Sequence, residues 1–383
     1  MKIVISKADL TTLCCKLLSI VANKPAIPIL ANVLLEAVND QLVLSATDLT
    51  TSMRSFCSAK VIEEGAIALP AKRFFQLIRE LTTSQVKIST TPSDHAEITA
   101  GSSIFKIHGM NKNEFPTLPT LTGTIQLSIA PNLLKELLAR SSFSVSREDS
   151  RYFLNGILLQ IANQTATFVG TDGKRLAKTW TKISSDPSFQ GSYIIPLKAV
   201  EEMGKMLEHG EKEATLSLTH DKVFLEHNST LLTTKLLSGQ YPDVERAIPA
   251  NPALSFSLHR EELMVLLRQV SLFTSETSGS IRFIFTTGQL QLNATNSEIG
   301  EGNVQMPVDY AGEKLEIAFN PHYFLDILRH SKDETIRFSF TDSYNPGLIS
   351  DTSSALFALM PMRLMDPPPP TEAHNDSKKP AFA

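Results

Sequence analysis

Residues 42–49 read LVLSATDL, residues 166–173 read ATFVGTDG, and residues 290–297 read LQLNATNS. Each has the composition of a strand, and each closes on a threonine followed by an acid or amide. Asp and Asn suit the turn that ends such a strand, because their side chains hydrogen-bond to nearby backbone. The spacing decides the fold. Thr47, Thr171 and Thr295 stand 124 and 124 residues apart, and Asp48, Asp172 and Asn296 keep the same interval. That interval is the length of a small domain.

The pattern extends in both directions. Upstream of each segment, a strand runs into an amphipathic helix: IVISKADLTTLCCKLL from Ile3, LSIAPNLLKELLAR from Leu127 and FSLHREELMVLLRQV from Phe256. Apolar residues fall at helical spacing at Leu10, Leu13 and Leu17, at Leu133 and Leu137, and at Leu263, Leu267 and Val270. Downstream comes a second strand–helix unit: AIALPAKRFFQLIREL (66–81), YIIPLKAVEEMGKML (193–207) and EIAFNPHYFLDILRHS (316–331). Pro70, Pro196 and Asn320 open these helices at intervals of 126 and 124. A proline there removes no needed hydrogen bond. Segments such as KVFLEH and TIRFSF alternate as antiparallel strands do. The chain therefore reads as three copies of one α+β domain, each with two helices packed on antiparallel sheets. The copies span 1–118, 124–245 and 251–364, with proline-rich joints at 115–123 and 248–254.

Composition excludes some functions. With 42% hydrophobic residues in 383, there is material for real cores. The net charge of −4 gives no bulk signal for nucleic acid, so any DNA contact must rest on where the bases lie. Cys14, Cys15 and Cys57 form neither a redox pair nor a zinc knuckle, and are expected as buried or partly buried thiols in a reducing compartment. No apolar run approaches the ~20 residues that span a bilayer, and the N-terminus turns polar before a signal-peptide core forms. A cytoplasmic protein without membrane contact is expected. There is no P-loop, GxGxxG, HExxH or nucleophile elbow. The cluster Asp172, Lys174 and Arg175 belongs to a turn that recurs at Asp48, which argues against a catalytic site. No enzyme activity, cofactor or metal is expected. A scaffold that never touches DNA is the other reading a repeat protein allows.

Eight segments in order carry a closer likeness: KPAIPILANVLLE (24–36), LSATDL (44–49), PAKRFF (70–75), EFPTLP (114–119), RYFLNGILL (151–159), TDGKRLA (171–177), SGQYPDVERAIP (238–249) and LMPMRL (359–364). Over residues 1–364 the chain resembles the bacterial β sliding clamps of DNA polymerase III. The resemblance implies three processivity domains per chain and a head-to-tail homodimer closed into a ring around double-stranded DNA. It also implies a non-enzymatic processivity factor that tethers the replicative polymerase α subunit. Further implied partners are the clamp loader, other polymerases, and mismatch-repair or ligase proteins that bring short peptide motifs.

The resemblance also assigns residues. The six helices, implied to line the hole, carry Lys7, Lys16, Lys72, Arg73, Arg79, Lys135, Arg140, Lys198, Lys205, Arg260, Arg268 and Arg329, twelve bases against eight acids. Such a mild excess suits sliding, because strong phosphate contacts would hold a ring still. The DNA-contact candidates are Lys24, Lys72, Arg73, Arg79, Lys135, Arg140, Tyr152, Phe153, Lys198, Lys205 and Arg268; Phe153 stands where a tyrosine is common. A peptide pocket between the second and third copies is implied at Leu154, Thr171, Gly173, Lys174, Arg175, Leu176, Pro242, Ala247, Tyr344, Pro346, Met360, Pro361, Met362, Arg363 and Leu364. Methionine walls suit varied partners. Lys174, Ala247, Tyr344 and Pro346 depart from the family pattern, so the subsites are expected to differ. The ring seam is implied at Arg73, Phe105, Ile107, Leu272, Phe273, Glu298 and Glu301, while Ser102 and Ile104 replace arginines common there. Residues 365–383, rich in proline and charge, extend past the usual family end and are expected to be disordered. They begin beside the implied pocket and are read as a neutral extension, with partial shielding of the pocket as the alternative.

Overall fold

The computed structural model describes residues 1–22, 25–121, 125–208, 212–274 and 279–363. They form two compact units: Met1–Val244 with Thr352–Phe357, and Glu245–Asp351 with the chain from Ala358. The first unit holds two copies of the repeated module, and the second holds the third copy.

Each α-helix among the described residues begins within two residues of a strand end. Lys2–Ser6 runs into α1 (Lys7–Leu17) and Gly65–Pro70 into α2 (Ala71–Glu80). Ile125–Ile129 runs into α3 (Pro131–Ser142) and Gly191–Pro196 into α4 (Leu197–Met206). Leu254–His259 runs into α5 (Arg260–Ser271) and Leu315–Phe319 into α6 (Pro321–His330). Pro70, Pro196 and Asn320 are the N-cap residues of α2, α4 and α6. Asn320 Oδ1 accepts from the N–H of His322 at 2.9 Å, which satisfies one of the orphan donors of the first turn.

The buried helix faces correct two sequence readings. In α3 the buried stripe is Leu134, Leu137, Leu138 and Ser141, and Leu133 is 37% exposed. Those four positions follow i, i+3, i+4 and i+7, and Leu133 lies one residue, about 100°, off the stripe. In α1 the same geometry parts two neighbours: Cys14 is buried and Cys15 exposed.

In the first unit, one sheet runs Lys60–Glu63, Lys2–Ser6, Gln85–Thr90, His95–Ala100, Ser103–His108. A second, of eight strands, runs Ile125–Ile129, Ala214–Leu218, Lys222–His227, Thr230–Lys235, Thr51–Ser58, Gln41–Thr47, Asn32–Val38, Gly65–Pro70. This sheet is shared by the first two copies, and its middle pairing joins them. Leu232 lies opposite Met53, with Ser55 and Thr230 hydroxyls 2.8 Å apart beside them. Gly156–Ala162, Thr165–Thr171 and Arg175–Lys182 form successive antiparallel pairs. In the second unit, Gly300–Pro307, Gln289–Asn296, Ile281–Thr286 and Leu315–Phe319 form a four-stranded sheet, and Leu254–His259, Thr335–Phe340 and Gly347–Ser350 lie side by side.

The cores lie between helices and sheets. In the first unit a continuous cluster includes Ile3, Leu10, Phe74, Ile98, Leu127, Phe168 and Leu232. The second unit is packed with rings instead: Phe256, Phe283, Phe285, Phe319, Phe324, Phe338 and Phe340 interlock edge-on or stacked, as at 5.3 Å between Phe283 and Phe319. One backbone bond recurs in all three copies: Met110 N–H to Ala68 O at 2.8 Å, Leu237 N–H to Ile194 O at 2.9 Å and Met362 N–H to Ala318 O at 2.7 Å. It brings the end of each module back to the strand that feeds its second helix.

Candidate nucleic-acid and partner surfaces

The repeated strand end is a repeated turn. Asp48 Oδ1 accepts from the N–H of Thr50 and Thr51, at 2.9 and 2.7 Å, and Asp172 Oδ1 from Lys174 and Arg175, both at 2.9 Å. Asn296 Oδ1 does the same for Glu298 and Ile299 at 2.9 and 3.3 Å. Thr47 and Thr171 donate across the turn to Thr51 O and Arg175 O. Thr295 does not; its hydroxyl turns to Asn293 Oδ1 at 3.4 Å. Leu49, at φ 74°, and Gly173, at φ 82°, hold the left-handed position of the turn. Arg175 is drawn into this local structure: Nε reaches Asp172 Oδ2 at 3.1 Å and the guanidinium lies 5.5 Å from the Phe143 ring centroid.

Ten of the twelve helix bases fall into three groups; of the other two, Lys16 Nζ donates to Thr230 Oγ1 at 3.2 Å and Arg329 pairs with Asp326 at 2.8 Å. Lys72, Arg73 and Arg268 are exposed, with no carboxylate at ion-pair distance among the described residues. Arg79, Lys135, Lys198 and Lys205 are paired, with Glu80 at 3.2 Å, Glu208 at 3.4 Å, Asp48 at 2.5 Å and Glu202 at 2.7 Å. The Arg79 and Lys135 pairs, exposed on both sides, are worth about 1 kcal/mol or less and yield readily to a phosphate; Asp48 and Glu202, the partners of Lys198 and Lys205, are largely buried. Burial raises the Asp48 carboxyl, but bonds from Lys198 and from the Thr51 and Thr50 N–H outweigh it and hold it below its usual range.

The third group faces inward. Arg140, expected at the DNA, is 5% exposed. It donates to Ser353 Oγ, pairs with Glu136 at 3.5 Å and stacks 5.6 Å from the Phe357 ring centroid. It follows Leu137 by three residues and is buried at the margin of the α3 stripe, where only paired charge is tolerated. Lys7 and Arg260 occupy equivalent positions at the starts of α1 and α5, and both turn to the end of the second helix of their module. Lys7 Nζ donates to Arg79 O at 3.0 Å and to Leu81 O, and Arg260 Nη1 to Leu328 O at 3.2 Å. They satisfy helix-end carbonyls, where a cation is also favoured by the dipole. In the second copy this position is Pro131.

Tyr152 is 75% exposed on a short 3-10 turn, Tyr152–Asn155. Asp149 braces that turn, binding Arg151 Nε at 3.0 Å and Nη2 at 2.8 Å. This pairing depresses the Asp149 carboxyl to about 2. Phe153 is half-buried beside Gly239. Lys24 lies outside the described residues.

Of the peptide-pocket residues in the first unit, Gly173, Lys174 and Pro242 are exposed, whereas Leu154 and Leu176 are buried, and Thr171 is bound into its turn. Tyr241, given no role in the sequence reading, is half-buried near this region, its hydroxyl donating to Val169 O at 3.3 Å. In the second unit Ala247, Tyr344, Met360 and Arg363 are exposed and Pro346, Pro361 and Met362 half-buried. Tyr344 stands out at 83% exposure, on a loop pinned by Asp342, whose carboxylate binds the N–H of Tyr344 and Asn345 at 2.8 Å each. Leu364 and residues 365–383 lie outside the described residues.

Of the residues the resemblance assigns to a seam, Phe105 and Ile107 lie on one outer strand and Glu301 on another, while Arg73 lies on α2, Leu272 and Phe273 follow α5, and Glu298 lies in the turn before Gly300. Ser103–His108 is the outer strand of its sheet in the first unit, and Gly300–Pro307 that of its sheet in the second. Phe105 is 37% and Leu272 72% exposed, and Glu298 and Glu301 are exposed. Phe273 is half-buried over Gly302. Ile107 lies on the same outer strand as Phe105. It is 8% exposed and packs in the core of its own unit, because its neighbour Ala96 leaves the space for it. Among the described residues no three His, Cys, Asp or Glu side chains gather as a metal site, and no helix is long and apolar enough to cross a membrane.

Comparison with known proteins is consistent along the chain. Family models of the DNA polymerase III beta subunit match in succession: its N-terminal domain at residues 1–119, its central domain at 128–243 and its C-terminal domain at 245–363. A beta sliding clamp of Chlamydia pneumoniae is 52% identical over 366 residues, covering 96% of this chain and 100% of the relative. That of Haemophilus influenzae is 31% identical over 368 residues, covering 95% and 100%. The crystal structure of the DNA polymerase III subunit beta from Pseudomonas aeruginosa matches at a TM-score of 0.91 and 29% identity, over 95% of this chain and 100% of that one. The DNA polymerase sliding clamp of Bacillus subtilis matches at 0.92 and 25% identity, with the same coverage.

Proposed function

Since the chain belongs to the DNA polymerase III beta subunit family, the bacterial beta sliding clamps, we propose that it acts as a processivity factor that encircles duplex DNA. Two chains associate head to tail into a ring and confine the polymerase to its template by topology rather than by grip. No bond is made or broken by the clamp; it raises the local concentration of proteins that bind it weakly. It acts in the cytoplasm, where a clamp loader opens and closes it.

The observation that best supports this reading in the chain itself is the character of its helix surface. Among the described residues Lys72, Arg73 and Arg268 are exposed with no carboxylate at ion-pair distance, Arg79 and Lys135 are paired at the surface, Lys198 and Lys205 reach the more buried Asp48 and Glu202, and the chain as a whole is net negative at −4. A sparse cationic field of this kind attracts phosphates without fixing a register. Tyr152 joins it as an exposed ring able to lie against the duplex.

Partner peptides have candidate contacts on each unit taken by itself: Gly173, Lys174 and Pro242 on the first, and Tyr344, Met360 and Met362 on the second. The methionines supply adaptable apolar surface, and Tyr344 and Lys174 tune which peptides fit. Lys174→His and Tyr344→Ala, each tested by peptide titration, should change the ranking of partner peptides; identical rankings would remove both residues from the site.

The decisive experiment is topological. Protein loaded on a nicked circle should remain bound in high salt and dissociate once the circle is linearised. Equal retention on both, or loss from the circle in salt, rejects encirclement. Lys72→Ala with Arg73→Ala and Arg268→Ala should lower the salt dependence of direct DNA binding by up to about one counterion per cation removed.

A further inference from the structure

We propose that the second copy of the module keeps an uncovered sheet edge, Ile125–Ile129, which takes an extended segment of a partner protein as an added strand. The segment is a short run of the kind Lys-Val-Ile-Glu, with its valine opposite Leu127.

The first copy shows what belongs at this edge. Its opening strand, Lys2–Ser6, is covered on the outside by Lys60–Glu63, with Val61 opposite Ile3 and Lys60 opposite Val4. On the inside, Thr90 N–H to Met1 O and Lys7 N–H to Ser84 O, both at 2.9 Å, bracket its pairing with Gln85–Thr90. Bonded and non-bonded pairs alternate along an antiparallel ladder, so Ile3 and Ile5 bond inward and Lys2 and Val4 turn their N–H and C=O outward. The matching places in the second copy lie 124 residues on. The helix N-caps Ser6 and Ala130 keep that interval. So do the bonds from Ala59 N–H to Asp40 O and from Ile183 N–H to Gln164 O, both at 3.0 Å. Gln126 and Ser128 are thus the outward-facing pair, and residues 184–187 are the segment that should meet them.

That segment does not meet them. Where the first copy has Lys-Val-Ile-Glu, the second has Ser-Ser-Asp-Pro. Proline brings no N–H to a ladder, and Ser and Asp favour turns. Asp186 Oδ1 accepts from the N–H and hydroxyl of Ser188 at 2.9 and 2.7 Å, and Phe189 N–H donates to Asp186 O at 3.0 Å, so the chain turns where the strand would run. Among the described residues no strand lies outside Ile125–Ile129. Two adjoining hollows of about 680 and 450 Å³ open there instead, with Gln126 on one wall and Ser185 and Asp186 on the other. Ser185 stands where Val61 packs on the core of the first copy, and its Oγ is shut off from solvent with no hydrogen-bond partner among the described residues. The third copy fills the same place with a ring. There Val308 N–H to Gly288 O at 3.1 Å marks the equivalent position, and Tyr310, two residues on, is 4% exposed, lies 5.6 Å from the Phe256 centroid and donates to Glu313 O at 2.6 Å. Only in the second copy does a small polar residue leave the place open. A β-branched residue opposite Leu127 would fill it. A lysine opposite Ser128, as Lys60 lies opposite Val4, would find the Glu213 carboxylate to which Ser128 Oγ donates. The chain's own strand of this composition is already paired, which favours a foreign segment, and strand addition to a free edge supplies the affinity through main-chain bonds.

The test is hydrogen exchange of the full chain, read amide by amide, with the synthetic peptide SAKVIEEG, the sequence of residues 58–65, as probe. Gln126 and Ser128 offer two N–H and two C=O groups, and four ordinary hydrogen bonds give an affinity on the order of 1 mM. At about 5 mM peptide the Gln126 and Ser128 amides should therefore exchange about sixfold more slowly, while the inward-bonded Leu127 amide stays as it was. The same peptide with proline in place of its valine should have no effect. Unchanged exchange, or equal slowing by the proline peptide, overturns the added strand. Slowing of the two amides by raised chain concentration without peptide assigns the edge to a second copy and overturns the foreign segment. Ser184→Lys, Ser185→Val, Asp186→Ile and Pro187→Glu together should restore the cover, slowing both amides without peptide and leaving the peptide nothing to add; a parental response to peptide in that variant overturns the site. Gln126→Pro removes one outward donor and no inward bond, so the peptide concentration that half-protects Ser128 should rise about fivefold or more, and no rise also overturns the site. None of these readouts depends on a closed ring, so this assay and the nicked-circle assay can fail independently.

Discussion

Replacing Arg140 by Ala should destabilise the first unit by about 2–4 kcal/mol and leave DNA affinity unchanged. The magnitude follows from what the side chain touches. At 5% exposure, its guanidinium donates to Ser353 Oγ, a charged hydrogen bond worth about 1.5–3 kcal/mol. Its position 5.6 Å from the Phe357 ring centroid adds about 1 kcal/mol of cation–π attraction. The pair with Glu136 is discounted, because that carboxylate is 29% exposed and can be resolvated. Loss of the buried stem adds a further penalty, partly relieved by local collapse. Arg140→Met keeps the stem and should cost about half as much. Urea denaturation of both variants, with unchanged m-values, measures the first part. The slope of DNA binding against salt measures the second, and should match the parent protein. An Arg140→Ala variant of parental stability with a shallower salt slope would refute the placement, since that is the behaviour of a surface phosphate contact.

Two glycines should respond oppositely to alanine. Gly204, inside α4 with open space around its Cβ position, should gain about 0.5–1 kcal/mol as Gly204→Ala, whereas Gly173, at φ 82°, should lose about 1 kcal/mol or more despite having room, because the strain is in the backbone; thermal melts read both. Asp48 has a carboxyl held below its usual range, so its contribution is present above the unfolded pKa of about 3.9 and is lost as pH falls through the lower folded value. Asp48→Asn should therefore flatten the acid limb of stability against pH, and an unchanged limb would exclude the Lys198 pairing. Of the three thiols, Cys15 should react quickly with a disulfide reagent. Cys14, raised far by burial, and Cys57, pushed up to about 11 by burial, should react only as the unit opens; three fast thiols would contradict the packing of α1.

Much of the site was legible because its signals are local. The Thr–Asp turn declares itself by residue type, and its three occurrences expose the repeat. Helix starts were marked by Pro70, Pro196 and Asn320. The charge census was less legible. Arg140 looks like any basic residue of a polar helix face, and its burial depends on Ser353 and Phe357, more than 200 positions away in the chain. Lys7 and Arg260 similarly look like surface bases until the end of the paired helix is seen beside them. The misjudged Leu133 shows how a one-residue phase error in α3 hides which neighbours face inward.

The sequence by itself determined that one α+β module occurs three times, where its strands turn into helices, and which family the chain resembles. Those properties follow from short-range chemistry: side chain to nearby backbone, apolar period, and proline at a helix start. Only the tertiary structure decided which cations remain at the surface, that Met110, Leu237 and Met362 play one role with no shared local motif, and which strands are joined and which are left as edges. Burial and strand pairing depend on residues brought together from far along the chain, and no local pattern encodes their partners.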